Sequence, residues 1–435
     1  MTSRPPSKIK LAFADVPISL DWHSIPRDVQ TRVQWLVRDF LAVSFAGRQT
    51  PAARISAEYV ARTYAEGSST LLFDGRRSTV PGAAFANGVL ADALCFTDGH
   101  VLARGHPGAN VIPAALAVAQ DQNATAGEFL AAVVLGFEVA VRAGIALHAR
   151  DSSYHGAGTW GALGAAASAA ALYRADSETF KTALGLAEYQ APVAPILRSV
   201  ANPAMTKDAI GWAAMVGCSS AMLASAGFSA LPSEFVESSS LSTIGHIWMS
   251  LETYVKRYPC IRWSHPAIKG VLALRERHRI TPDGIRAINV RTFATAAKLA
   301  TSAPRTTEEA QYSLVWPVAY AAVHGAFGIE AILDSRDDEK ACAILPLITV
   351  VVDAQFESQY PARRLTEVTI VTGDGSQYAS GAVEADGECT DPQWECIVAD
   401  KFDRFVQPAP PPREGRKDTR LGNLTRAELV DAIAM

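Results

Sequence analysis

Four segments of this 435-residue chain hold side chains whose types and spacing could move protons or bind an anion. In DGHVLARGHPG, Asp98 to Gly108, a carboxylate is followed by His100, Arg104 and His106. Imidazoles exchange protons near neutral pH, and a guanidinium pairs with a carboxylate. The His106-Pro107 step leads towards a helix N-terminus, where anions bind. SSYHGAGTW (152–160) sets His155 in a glycine-rich turn, placed to act as a general acid or base. MTKDAIG (205–211) carries Lys207, a cation able to hold an anionic intermediate. VKRYPCIRWSHP (255–266) gathers Lys256, Arg257, Arg262, Cys260 and His265, a set suited to carboxylates at a domain junction. Each segment has a plain structural alternative: an interhelix loop capped by Asp98, a surface turn, a solvated lysine beside Asp208, and a hinge of ordinary ion pairs. Spacing alone leaves those alternatives open, and Cys260 is too isolated to be read as a nucleophile.

The elements around these segments are mostly helical. AAFANGVLADALCFTDGHVLARGHPGANVIPAALAVAQ (83–120) reads as an apolar helix, a polar loop and a second apolar helix started by Pro113. Charged groups between buried helices are unfavourable unless they meet each other or a ligand. Val29, Val33, Leu36, Val37, Phe40 and Leu41 recur at helical spacing, with Gly47 closing the pattern, and 53–66 repeats it. Segments 128–149, 159–175, 177–191 and 208–228 are Ala-rich with interspersed Gly, which predicts a compact bundle. No strand pattern of any length precedes about residue 285. From there 285–293, 345–353 and 364–372 are β-branched and partly alternating, and Gly373-Asp374-Gly375 predicts a hairpin. Helical patterns lie near 308–325 and 326–333. The reading is an all-helical domain over 1–259, a smaller α+β domain over 260–395, and a C-terminal segment over 396–435. That segment holds a polar linker (408–418) and a short amphipathic helix.

Composition narrows the function. With 49% hydrophobic and 19% charged residues and a net charge of −4, the chain is globular and has no basic field for nucleic acid. Cysteines at 95, 218, 260, 342, 389 and 396 form no CxxC pair and no zinc spacing, so neither a disulfide framework nor a metal site is expected. A reducing cytoplasm fits best. The N-terminal stretch lacks a secretory apolar core, and runs such as LAAVVLGFEVAV read as too short and interrupted to cross a membrane. Dinucleotide, P-loop and nucleophile-elbow motifs are absent, which points to cofactor-free chemistry.

Taken in order, ALCFTDGH with RGHPGANVIPAALAVA, YHGAGTWGALGAAASAAAL, TKDAIGWAA, KRYPCIRWSHPAI and TTEEAQYSLVWPVAYA resemble the MmgE/PrpD family over nearly the whole chain. That family includes methylcitrate dehydratase, cis-aconitate decarboxylase and iminodisuccinate epimerase. The resemblance implies a mainly α protein: a large all-helical domain completed by the C-terminal segment, and a smaller α+β lid domain. It also implies a homodimer with a site in the cleft between the domains, and neither metal nor cofactor. Motif by motif, it implies catalytic roles for His106, His155, Asp98 and Lys207. Substrate contacts would come from His100, Arg104, Lys256, His265, Cys95 and Trp316. The shared chemistry is proton abstraction next to a carboxylate. The expected activity is therefore that of a lyase, first a hydro-lyase, acting on a small polycarboxylate. An epimerase, a decarboxylase and a catalytically lapsed binding protein are the alternatives.

The departures are specific. Cys95 stands where the family's acidic signature begins, Thr97 occupies its next acidic position, and Asp92 replaces a histidine before it. No histidine follows Lys207, Trp316 replaces a tyrosine, and Ile261 replaces a frequent cysteine. A thiol with a pKa of about 8.5 cannot substitute for a carboxylate near 4 as a fixed negative charge.

Overall fold

The structure is a computed structural model that describes residues 19–151, 153–236, 238–406, 418–422, 424 and 426–433. Helix α1 (Arg27–Gly47) buries the face carrying Val29, Val33, Leu36, Val37 and Phe40, as its spacing predicts. The Thr50 hydroxyl caps α2 (Pro51–Thr63) by accepting from the Ala53 amide. A short antiparallel ribbon, β1 (Ser69–Thr70) with β2 (Arg77–Ser78), precedes α3 (Val80–Asp92). Strand β3 (Gly99–His100) then leads into α4 (Pro107–Asp121). This helix starts six residues before the expected Pro113, which lies inside it. Pro107 needs no amide partner at a first helical position, while Pro113 forfeits one internal hydrogen bond without breaking the helix.

Helix α5 (Ala126–Arg150) opens with a reciprocal capping box between Thr125 and Glu128. It is followed by α6 (Gly158–Leu172), α7 (Ser177–Gln190, capped by Asp176), α8 (Ile196–Ala201), α9 (Ile210–Ser225) and α10 (Ser238–Leu241). Small residues let these helices nearly touch: a Cβ on Gly136 of α5 would lie 2.4 Å from Val111 and 2.9 Å from the Gly164 carbonyl. Against expectation, α5 is long and apolar enough to cross a membrane by composition, with a mean hydropathy of 2.0. Its most apolar stretch is 89% buried inside the bundle and encloses the Glu138–Arg142 ion pair at 2.6 Å. The core helix of a large bundle meets the same test as a spanning one.

Strand β4 (Thr253–Tyr254) returns to pair antiparallel with β3, and so brings segment 255–266 beside the 98–108 loop. Such two-residue pairs escape a periodicity reading because they are too short to alternate. Helix α11 (His265–His278) then leads into β5 (Ile285–Thr292). Helices α12 (Thr307–Gln311) and α13 (Val315–His324) divide what the sequence suggests is one pattern. Short helices α14 (Glu330–Leu333), α15 (Glu339–Ile344) and α16 (Ala354–Glu357) surround β6 (Ile348–Val352). The predicted hairpin is β7 (Thr366–Thr372) with β8 (Gln377–Val383). The sheet order is β6-β5-β7-β8, with β5 and β6 parallel and the other neighbours antiparallel. Ile288, Val290, Val368 and Ile370 pack with Ile268 and Val271 of α11 in a second hydrophobic core.

Helix α17 (Trp394–Phe405) returns to pack on α1, and Lys401 of α17 is ion-paired with the buried Asp39 of α1. Helix α18 (Arg426–Ile433) lies against α1 and α5. The first hydrophobic core accordingly joins residues from Trp22 to Val255 with Trp394 to Ile433. The fold is mainly α. The linker expected at 408–418 lies, apart from Asp418, outside the described residues.

Candidate active site

A cavity of about 30 Å³ lies where the β3–β4 ribbon meets the α+β domain, and all four chemistry-bearing segments reach it. His106, at the cap of α4, is the residue on which its chemistry turns. The ring Nδ1 is 2.5 Å from the Asp98 carbonyl oxygen. A carbonyl only accepts, so Nδ1 carries the proton and Nε2 keeps its lone pair. Burial, helped by nearby Lys256, holds the imidazole pKa well below its ordinary value and keeps the ring neutral. His106 thus carries an unprotonated Nε2.

Asp98 orients this histidine without lining the cavity. Its carboxyl accepts from the Gly108 amide at 3.1 Å, capping the first turn of α4. Burial, then the neighbouring Asp39, pushes its pKa up to about 8.

Cations surround the histidine. Lys256 is 1% exposed, and its ammonium donates to the Cys95 carbonyl at 2.8 Å and to the Cys95 sulfur at 3.2 Å. Arg364, two residues before β7, is 8% exposed with an unpartnered Nε. The Arg104 guanidinium stands 5.6 Å from the Tyr154 ring centre. Among the described residues, none of these three has a carboxylate within 4.0 Å, whereas Arg262 is ion-paired to Glu388 at 2.7 Å. Buried cations without counter-charges are costly unless a ligand supplies the anion.

Asp208 enters from the loop before α9. Its carboxyl accepts from the Ala157 amide at 3.2 Å and faces the Tyr312 hydroxyl at 3.5 Å. A Cβ on Gly158 would sit 2.5 Å from the Asp208 carbonyl, so the GAG turn of 156–158 is what lets this loop close on α6. Lys207 and Ala209, on either side of Asp208, have φ of 39° and 58°, and the cavity-lining Cys95 and Arg104 have φ of 50° and 56°.

The structure brings His106, Arg104, Lys256 and Cys95 together and places the other expected residues elsewhere. Lys207 is buried behind the cavity, with its ammonium given to the Asp92 carbonyl (2.5 Å), the Ala93 carbonyl (2.8 Å) and Gln311 Oε1 (2.6 Å). Those acceptors use all three of its protons. His100 accepts from the Ala103 amide at 3.3 Å and turns Nε2 towards Glu252, 3.6 Å away. His155 bonds outward to Asp151 at 2.8 Å. His265 lies 3.3 Å from the Cys260 carbonyl, edge-on to Tyr258. Trp316 is fully buried in the second core, where its indole donates to the Ala331 carbonyl at 3.0 Å. Tyr312, four residues earlier, presents a hydroxyl to the cavity instead.

Sequence reasoning missed Asp208, Tyr154, Tyr254, Tyr312 and Arg364, all of which line the cavity. Tyr154 sits inside a motif already singled out. Asp208 enters the sequence reading only as the neighbour of a solvated Lys207, although the two side chains point to different places. Arg364 has no local signal, because only the sheet brings it near.

The chain is thus a two-domain, mainly α protein whose motifs converge on one buried, cation-rich cleft. The MmgE/PrpD N-terminal domain model matches residues 12–242 and the MmgE/PrpD C-terminal domain model matches residues 258–423. The chain belongs to the MmgE/PrpD family. It is similar to the cis-aconitate decarboxylase-like protein oryM of Aspergillus oryzae, 24% identical over 65% of this chain and 64% of that protein. It is also similar to the cis-aconitate decarboxylase of Aspergillus terreus, 23% identical over 58% of this chain and 57% of the relative. The match therefore spans less than two thirds of either relative.

Proposed function

We propose that this protein is a lyase of the dehydratase and decarboxylase class acting on a small polycarboxylate. The observation that carries the reading is the set of cations, the buried Lys256 and Arg364 and the half-buried Arg104, without carboxylate partners around a neutral His106. Their charges would hold the carboxylates of the substrate and stabilise negative charge developing on the adjacent carbon. His106 Nε2 would take the α-proton, as in a hydro-lyase. The names of the fungal relatives favour a second reading within the same class, decarboxylation of a cis-aconitate-like triacid.

Citrate and cis-aconitate are expected to raise the melting temperature, because a ligand at a hundred times its Kd stabilises by about 2.7 kcal/mol. Lys256→Met and Arg364→Met should abolish most of that rise. A flat response of the wild-type protein to a panel of di- and tricarboxylates would overturn the polycarboxylate reading. Proton NMR in deuterium oxide then separates loss of water, loss of carbon dioxide and simple deuterium incorporation, the last being the mark of an epimerase.

We also propose a homodimer. Ile55 and Tyr59 of α2, Met205, and Trp212 of α9 are 48%, 39%, 44% and 46% exposed and line one apolar groove of about 310 Å³. Large contiguous apolar patches mark association surfaces. Trp212→Glu is expected to halve the mass measured by sedimentation; an unchanged mass would place the interface elsewhere.

A further inference from the structure

We propose that Asp208 is the proton donor of the cleft, acting from the loop before α9 towards a substrate held between it and His106. The inference rests on the lyase reading. Among the described residues, Asp208 is the one carboxyl that lines the cavity, since Cys95 contributes only a thiol. Two donors on separate elements, the Ala157 amide and the Tyr312 hydroxyl, fix its carboxyl. The left-handed residues on either side of it are backbone strain of the kind that collects at working sites.

The chemistry requires such a group. With Nδ1–H committed to the Asp98 carbonyl, His106 has a lone pair but no proton to give. In an elimination, His106 takes the α-proton and the carbon–carbon double bond forms as the C–O bond breaks. The departing hydroxyl receives the Asp208 proton and leaves as water. In a decarboxylation, the C–C bond to one carboxylate breaks, carbon dioxide departs, and the electron pair left on carbon takes the same proton. After an elimination His106 releases the α-proton to solvent as solvent reprotonates Asp208, so no net proton is consumed; after a decarboxylation the proton that Asp208 takes from solvent replaces the one left on carbon.

The other cavity groups suit that task less well. Burial pushes the Tyr154 and Tyr312 phenols and the Cys95 thiol up from their ordinary values, leaving them reluctant donors. The same burial raises the carboxyl of Asp208, which brings it towards neutral pH, where an acid is useful. The titratable groups that influence it are Lys256, Lys207 and Tyr312, which oppose that rise, and its own charge in turn raises the buried Asp92.

The test follows citrate and cis-aconitate by proton NMR. Asp208→Asn is expected to lower kcat by about 10²–10⁴-fold with KM within threefold, to lose the alkaline limb of the kcat profile, and to keep the melting-temperature rise with cis-aconitate. Asp208→Glu should recover at least about tenfold over the Asn variant. Should Asp208→Asn fail to fold, Tyr312→Phe reads the same group. Removing a hydroxyl that favours the charged carboxyl should move the alkaline limb to higher pH. Near-normal kcat in Asp208→Asn, or an unmoved limb in Tyr312→Phe, would overturn the donor assignment while leaving the lyase reading intact. Absence of turnover of both compounds by the wild-type protein would overturn the lyase reading and the donor role together.

Discussion

Replacing His106 with glutamine is expected to reduce turnover by about 10²–10⁴-fold, the usual worth of a positioned general base, while changing the unfolding free energy by no more than about 1 kcal/mol. The asymmetry follows from the two ends of the ring. Its Nδ1–H is a structural donor to the Asp98 carbonyl, and a glutamine amide can make the same bond. The Nε2 lone pair is the chemical end, and glutamine has no group that titrates there. Because His106 is neutral in the folded state, no ion pair is lost with it. Turnover by proton NMR and stability by urea denaturation, measured on one preparation, decide the point. Parallel losses of stability and activity would show the residue to be a structural cap.

The second large effect is on stability as a function of pH. Asp98 has a folded pKa of about 8, raised by burial and by Asp39, against about 3.9 in an unfolded chain. Between those values the folded state holds a proton that the unfolded state has released. The stabilisation is therefore complete below about pH 4 and is lost as pH rises through the folded pKa, at up to about 1.4 kcal/mol per pH unit. Asparagine cannot lose such a proton, and its carbonyl can accept from the Gly108 amide as the carboxyl does. Asp98→Asn should therefore gain on the wild type steadily from pH 6 to pH 8. Urea midpoints at three pH values check it, and parallel curves would place the charge elsewhere.

The sequence made the helices legible where one face repeats, as in α1. It also identified the four segments that meet at the cleft, because imidazoles, cations and glycines in short strings leave few innocent readings. What it could not tell was the direction each side chain takes. Lys207 and Asp208 are adjacent, yet the ammonium ties three acceptors behind the cavity while the carboxyl faces into it. His155 and Tyr154 divide in the same way, with the tyrosine lining the cleft and the histidine turned to Asp151. Arg364 and Tyr312 arrive through the α+β domain, and contacts that long in sequence leave no periodic trace. Helix α17 straddles the expected boundary at 395/396, and no helical pattern is read there from the sequence.

Of the eight non-glycine residues with left-handed backbone among those described, Cys95 and Arg104 line this cleft, and Lys207 and Ala209 flank Asp208, which also lines it. Each such residue costs roughly 1–2 kcal/mol, so the rim is held in place by the surrounding helices against its own local preference. Glycine at Ala209, which forfeits no side-chain bond, would relieve that tension and tend to raise the melting temperature. A search for hardier variants ranked on heat resistance alone will therefore be drawn to the rim of the cleft, and will tend to trade catalytic geometry for durability.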